Sequence, residues 1–206
     1  MKRLVLASSN PGKLREIEAL LAPLSIAVLP QAELGIADAD EPHASFLENA
    51  LAKARHASRA SGLAALADDS GLCVAALGGE PGVHSAYYAG RGGSREERDA
   101  RNNAKLLKEI SGKDPGAYYC CVMVLVRHAG DPRPLVAEGL WRGEITPAPR
   151  GANGFGYDPL LLLPQLGRTA AQLEPAHKNR ISHRAQALAK LVSLFDDLDL
   201  RADRAR

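Results

Sequence analysis

An apolar run that ends in two adjacent carboxylates, Leu66-Ala67-Asp68-Asp69-Ser70-Gly71-Leu72, restricts what this chain can build more than any other stretch. If Leu63 to Ala67 form a buried strand, alternation sends Asp68 and Asp69 to opposite faces, and Ser70-Gly71 is expected to turn the chain directly after them. One carboxylate can then face a cleft. Crowded carboxylates at a sheet's rim repel one another, which a divalent cation or a protonated partner offsets. A solvated Asp-Asp-Ser-Gly turn is the competing reading.

The 206 residues, 46% hydrophobic and 24% charged, suffice for one good core, so the expected organisation is a single domain over 1–206, with two lobes. Twenty-six basic against 24 acidic side chains leave a net charge of +2, which asks for neither nucleic acid nor a membrane surface. Any bound anion must be met by local charge. The start, Met1 to Ala7, is too brief for a signal-peptide core or a membrane span, and a cytoplasmic protein is expected. Cys73, Cys120 and Cys121 lack metal or disulfide spacing and read as buried small hydrophobes.

Along the chain, Arg3 to Ala7 read as a buried strand, followed by Ser8-Ser9-Asn10-Pro11-Gly12-Lys13 and an amphipathic helix with Leu14, Ile17, Leu20 and Leu21 on one side. Such a loop points backbone N–H groups at the strand's end and suits a phosphate, with Lys13 adding charge; an ordinary capped turn fits equally well. It is not a Walker loop, and no G-x-G-x-x-G fingerprint occurs. A second strand near Ile26 to Leu29 precedes the acidic loop Asp38-Ala39-Asp40-Glu41. Ser45 and Glu48 have capping-box spacing, so a helix is expected from Phe46 to about Ala60. On it Asn49, Lys53 and His56 form a polar stripe at i, i+4 and i+7 that reads as a solvated face unless Lys13 and Asp69 lie across from it.

Ser94 and Glu97 open another helix running to Ile110. Ala117 to Val126 reads as a strand buried on both faces, paired with Leu135 to Trp141 across a turn at Gly130-Asp131-Pro132. Trp141 reads as core or interface. Gly154-Phe155-Gly156-Tyr157-Asp158-Pro159 combines close-approach glycines, aromatics able to stack on a flat ring, and an acid. Leu160 to Leu163 form a strand, and Ser182 is a fitting N-cap for a last helix carrying Leu188, Leu191, Val192 and Phe195. His183 and Arg184 put positive charge where the helix dipole disfavours it, so something anionic or electron-rich is expected there. The charged tail after Asp196 is expected to fray.

A phosphate-type loop, the acids Asp40, Glu41, Asp68 and Asp69, an aromatic-glycine loop and a basic helix start together suggest a nucleotide and a magnesium ion. The order and wording of these motifs resemble the inosine triphosphate pyrophosphatase family of non-standard purine nucleoside triphosphate pyrophosphatases. The resemblance rests on Ser8 to Lys13, Phe46 to Lys53, Ala67 to Leu72, Pro81-Gly82 with Ser85-Ala86, Gly154 to Pro159, and Lys178-Asn179 with Ile181-Ser182-His183-Arg184, nearly the whole chain.

That resemblance implies hydrolysis of dITP, ITP and XTP to the monophosphate and pyrophosphate. It also implies an α/β fold with an elongated mixed sheet flanked by helices, two lobes with a central cleft, and a homodimer. Carried over, Ser8, Ser9, Asn10, Pro11, Gly12 and Lys13 hold the triphosphate with Lys53. Asp69 is general base and Mg2+ partner, Ser70 touches substrate, and Asp40 or Glu41 supplies another metal carboxylate, with Asp68 a supporting or second one. Phe155, Gly156, Tyr157, Asp158, Lys178, His183 and Arg184 surround base and sugar. A C6 oxygen on the purine is an acceptor, for which Arg184 or backbone N–H groups near His183 are expected donors. The chain departs from the family's habit at Ser8-Ser9, Tyr87 and Gln172. A pyrophosphatase of modified pyrimidine or ordinary deoxynucleotides, and a non-catalytic nucleotide-binding regulator, are the rival readings.

Overall fold

The computed structural model describes residues 3–22 and 26–195; the tail expected to fray lies outside them. Its sheet has seven strands in the order β2-β1-β3-β4-β5-β6-β7. These are β1 (Arg3–Leu6), β2 (Ala27–Pro30), β3 (Ala64–Val74), β4 (Gly116–Val126), β5 (Leu135–Ile145), β6 (Leu161–Leu163) and β7 (Arg168–Thr169). Among the described residues five α-helices accompany them: α1 (Pro11–Leu21), α2 (Phe46–Ser61), α3 (Arg95–Ile110), α4 (Pro175–Ile181) and α5 (His183–Ser193). β1 pairs in parallel with β2 and β3, whereas β6 pairs antiparallel with β5 and β7, so the sheet is mixed and the fold α/β as expected.

The chain divides into two compact units. One comprises the chain up to Asp69, Cys121–Gly139 and the chain from Arg184 on; the other comprises Ser70–Cys120 and Leu140–His183. Each has its own core. In the first, Leu4, Leu6 and Leu66 pack with Ile17 and Leu21 of α1 and with Ala187, Leu188 and Leu191 of α5. In the second, Leu72, Val74, Leu106, Trp141, Tyr157 and Leu161 come together, so Trp141 is core. None of the three cysteines forms a disulfide, and all are buried, as their apolar settings indicated.

β3 corrects one expectation. The chain does not turn at Ser70-Gly71; it stays extended to Val74, because Leu72, Cys73 and Val74 are themselves buried strand residues that continue the apolar pattern beyond the two acids. The alternation holds, and the two carboxylates have different partners. At the far end of β4 the expected turn is built on Asp131, whose carboxylate accepts from the backbone N–H of Arg127 and Arg133. The polar segment after β6 carries a helix the sequence pattern did not show, α4, started by Pro175 at its first turn.

Candidate active site

In the first unit the loop after β1 is shaped by its own side chains. Asn10 caps α1, its Oδ1 accepting from Gly12 N at 3.0 Å and Lys13 N at 3.3 Å, with Pro11 preset for the first turn. Two of the amides expected to face a phosphate thus serve the cap. Ser8 Oγ accepts from Asn10 N. Ser9 donates its hydroxyl to Asp38, which Gln31 also reaches. Lys13, projecting from the first turn, sets Nζ 3.2 Å from Asp68 Oδ2.

Asp68 is buried and also takes the Arg184 guanidinium, Nη2 at 3.2 Å, while Arg184 Nη1 reaches Glu16. Burial works against the Arg184 charge, but Asp68 and Glu16 more than compensate and hold it protonated. In the structure the Arg184 guanidinium, expected from the sequence to offer donors to a base, meets these carboxylates inside the first unit. Glu16 was not singled out from the sequence, although its position three residues after Lys13 puts both on one helix face.

Asp69 points the other way, onto α2. Lys53 Nζ lies 3.0 Å from Asp69 Oδ1 and Asn49 Nδ2 donates to Oδ2 at 3.3 Å. The polar stripe is therefore no solvated face: Asn49 and Lys53 are 1% and 8% exposed. Burial pushes the Asp69 carboxyl above its ordinary range, with Lys53 and Lys13 opposing and Glu41 reinforcing. For Lys53, burial again opposes charge, but Asp69, Asp68 and Glu41 together raise its proton affinity.

The same stripe clamps the acidic loop. Asn49 bonds the backbone of His43 at both N–H and C=O, Lys53 meets Glu41 at 3.1 Å, and His56 Nε2 lies 2.9 Å from the carbonyl of Ala37. Rising numbers on α2 meet falling numbers in the loop, so residues 37–43 run back along the helix as a strap. Glu41 is delivered to Lys53, whereas Asp40 stays exposed.

In the second unit Asp158 shapes the aromatic-glycine loop. It accepts from Phe155 N at 2.8 Å and from Lys178 Nζ at 2.6 Å, and Tyr119 is a further hydrogen-bond partner. Gly154, at φ +76°, has no room for a side chain: a Cβ there would lie 2.0 Å from Asp158 Oδ2. Tyr157 is buried, its hydroxyl donating to Ser85 O at 2.9 Å, and burial raises its pKa. Of the two aromatics expected to stack, Phe155 alone keeps part of its ring exposed. Ser70 sits half-buried within β3. His183 stacks on Tyr119 at 4.6 Å and Trp141 at 6.2 Å. The basic helix start thus finds electron-rich rings for His183 and anions for Arg184, both supplied by the protein. Among the departures, Tyr87 carries the Arg91 guanidinium 3.8 Å above its ring, and Gln172 completes a capping box on Thr169.

A mixed α/β sheet carrying a lysine-held buried carboxylate and a capped loop ending in a second lysine is suited to the phosphate chemistry of the nucleotide-hydrolase class. Within that class the chain belongs to the Ham1 family, which it matches over residues 4–194. It is 65% identical over 193 residues to a dITP/XTP pyrophosphatase of Ralstonia nicotianae, covering 93% of this chain and 96% of that one. A protein of the same description from Burkholderia pseudomallei is 62% identical over 95% and 94% of the two chains. The HAM1 protein of Coxiella burnetii has a solved structure that matches with a TM-score of 0.88 at 46% identity, covering 96% of this chain and all of that one. The resemblance drawn from the six motifs therefore holds.

Proposed function

We propose that this chain hydrolyses non-standard purine nucleoside triphosphates, dITP, ITP and XTP or dXTP, to the monophosphate and pyrophosphate. The observation that carries the reading is Asp69: a buried carboxylate with raised proton affinity, fixed by Lys53 and Asn49, as a general base for an attacking water requires. The names of the relatives in Ralstonia and Burkholderia support the substrate class.

Lys13 and Lys53 supply the positive charge for the triphosphate, with the loop Ser8 to Gly12 beside it. Asp68, held by Arg184, keeps Lys13 in place rather than serving as a ligand of its own. The donor set suits Mg2+: Asp69 and Glu41 converge on one cationic point, Lys53 Nζ, and both are hard oxygen donors. Among the described residues no three His, Cys, Asp or Glu side chains gather, so phosphate oxygens and water complete such a site, the usual habit of magnesium. When bound, the ion neutralises phosphate charge as the bond to the leaving pyrophosphate breaks. Asp69 takes the proton from the attacking water and gives it up to solvent once the bond is broken, the Lys53 ammonium beside it favouring the return to the charged carboxylate. Phe155, Gly156 and Lys178 take the base. No helix among the described residues is long and apolar enough to cross a membrane. We place the chain in the cytoplasm, as a homodimer, on the strength of the family resemblance.

Replacing Asp69→Asn tests the assignment. Turnover of dITP should fall at least about 100-fold, the lower range for losing a general base, while the nucleotide still binds by calorimetry. Unchanged turnover removes Asp69 from this role and favours a binding module.

A further inference from the structure

The aromatic-glycine loop is held from α3 at one residue. Asp99 accepts from Gly156 N at 2.9 Å and Asn103 donates to Gly156 O at 3.1 Å, so side chains one helical turn apart bind both polar groups of that glycine. Arg95, at the start of the helix, lies on the same face and has its guanidinium carbon 4.7 Å from the Phe155 centroid; Lys178 of α4 has Nζ 4.8 Å from it. The preceding residue is bound from inside the loop: Phe155 N donates to Asp158 at 2.8 Å, and Phe155 O accepts from Asp158 N at 3.2 Å.

Phe155 stands between two glycines of positive φ, Gly154 at +76° and Gly156 at +63°. Glycine enters that region and leaves it at little cost, so the backbone alone sets the direction of the ring only loosely. The bonds from Asp99, Asn103 and Asp158 remove that freedom. They also use the N–H of Phe155 and of Gly156, so neither is left to meet an oxygen on a purine edge, and what these two residues offer a flat base is the partly exposed Phe155 ring.

We propose that Asp99 and Asn103 are positioning residues for base binding: from α3 they fix the Gly156 backbone and so hold the Phe155 ring in the orientation that stacks on the base. The inference rests on the reading that Phe155 lies against the base. Ordering the ring before the nucleotide arrives acts on affinity, because that ordering is then no longer charged to binding. The chemistry at Asp69 belongs to other residues and keeps its rate once substrate is bound. One hydrogen bond of this kind is worth about fivefold in affinity.

The test combines calorimetric titration of dIMP and of pyrophosphate with steady-state kinetics on dITP. Asn103→Ala should raise the dIMP Kd and the dITP KM about fivefold, with kcat and the pyrophosphate affinity unchanged. Asp99→Ala should do the same, and Asp99→Asn, which keeps an oxygen for the Gly156 N–H, should recover most of the loss. Phe155→Ala should weaken dIMP by at least about fivefold, the lower range for a base stacked on an aromatic ring, and adding Asn103→Ala to it should cost nothing more. Losses that add in the double variant, or a kcat and a pyrophosphate affinity that fall together with the dIMP affinity, overturn the positioning role. So does an Asn103→Ala protein that binds dIMP as tightly as the unaltered one while Phe155→Ala weakens it. If Phe155→Ala leaves dIMP binding unchanged, the base does not lie at this loop, and the underlying reading falls with the inference.

Discussion

Asp69 owes its chemistry to a contest between burial and neighbouring charge. Burial raises its proton affinity; Lys53 and Lys13 lower it. A general base works deprotonated, so turnover is lost as pH falls through this raised pKa, and the acid limb of the kcat profile lies above the ordinary carboxylate range. Lys53→Met removes the largest opposing charge. The limb should then move to higher pH, read from kcat between pH 4 and 9, and a limb that stays or moves lower contradicts the pairing. At this scale the sequence was partly legible. Asp69 and Lys13 stood out by residue type and setting, and the basic helix start announced a need for anions or electron-rich partners. Spacing alone does not say which face of α2 is covered, so Asn49 and Lys53 looked solvated. Nor does it show that Arg184 turns to Asp68 and Glu16, residues 116 and 168 positions away in the chain.

Elements with clear local signals were legible almost to the residue. The Ser94–Glu97 capping box opens α3 and the helix stops at Ile110; β4 follows its apolar run. The failures have a common cause, local turn propensity overruled by tertiary burial. Ser-Gly within β3 stays extended because the strand is covered beyond it, and α4 forms in a polar segment where Lys178 is buried against Asp158. The strap over residues 37–43 was invisible as an element, since it has no periodicity and is defined by what α2 offers it. If it serves to deliver Glu41, then His56→Ala, which removes its anchor at Ala37, should lower kcat/KM on dITP by up to about tenfold, the worth of one hydrogen bond. The double variant His56→Ala with Glu41→Gln should be no worse than Glu41→Gln alone. Additive losses in steady-state kinetics would show that His56 acts elsewhere.

For the molecule as a whole, the α/β class came with the family resemblance, and an antiparallel portion of the sheet from the runs after Ala117. The division into two compact units was less legible, because no linker marks it: β3 passes from one unit to the other between Asp69 and Ser70, and the chain passes back between His183 and Arg184, in the middle of motifs. Charge and chemistry follow the same division. Lys13, Lys53 and Asp69 belong to the first unit, and the aromatic-glycine loop with Arg95 and Lys178 belongs to the second. The most direct measurement is product identification from dITP and dATP incubated in parallel with the protein and Mg2+. The account predicts dIMP and pyrophosphate in equal amounts with dATP turned over far more slowly; stepwise release of single phosphates, or equal rates on the two nucleotides, would contradict it.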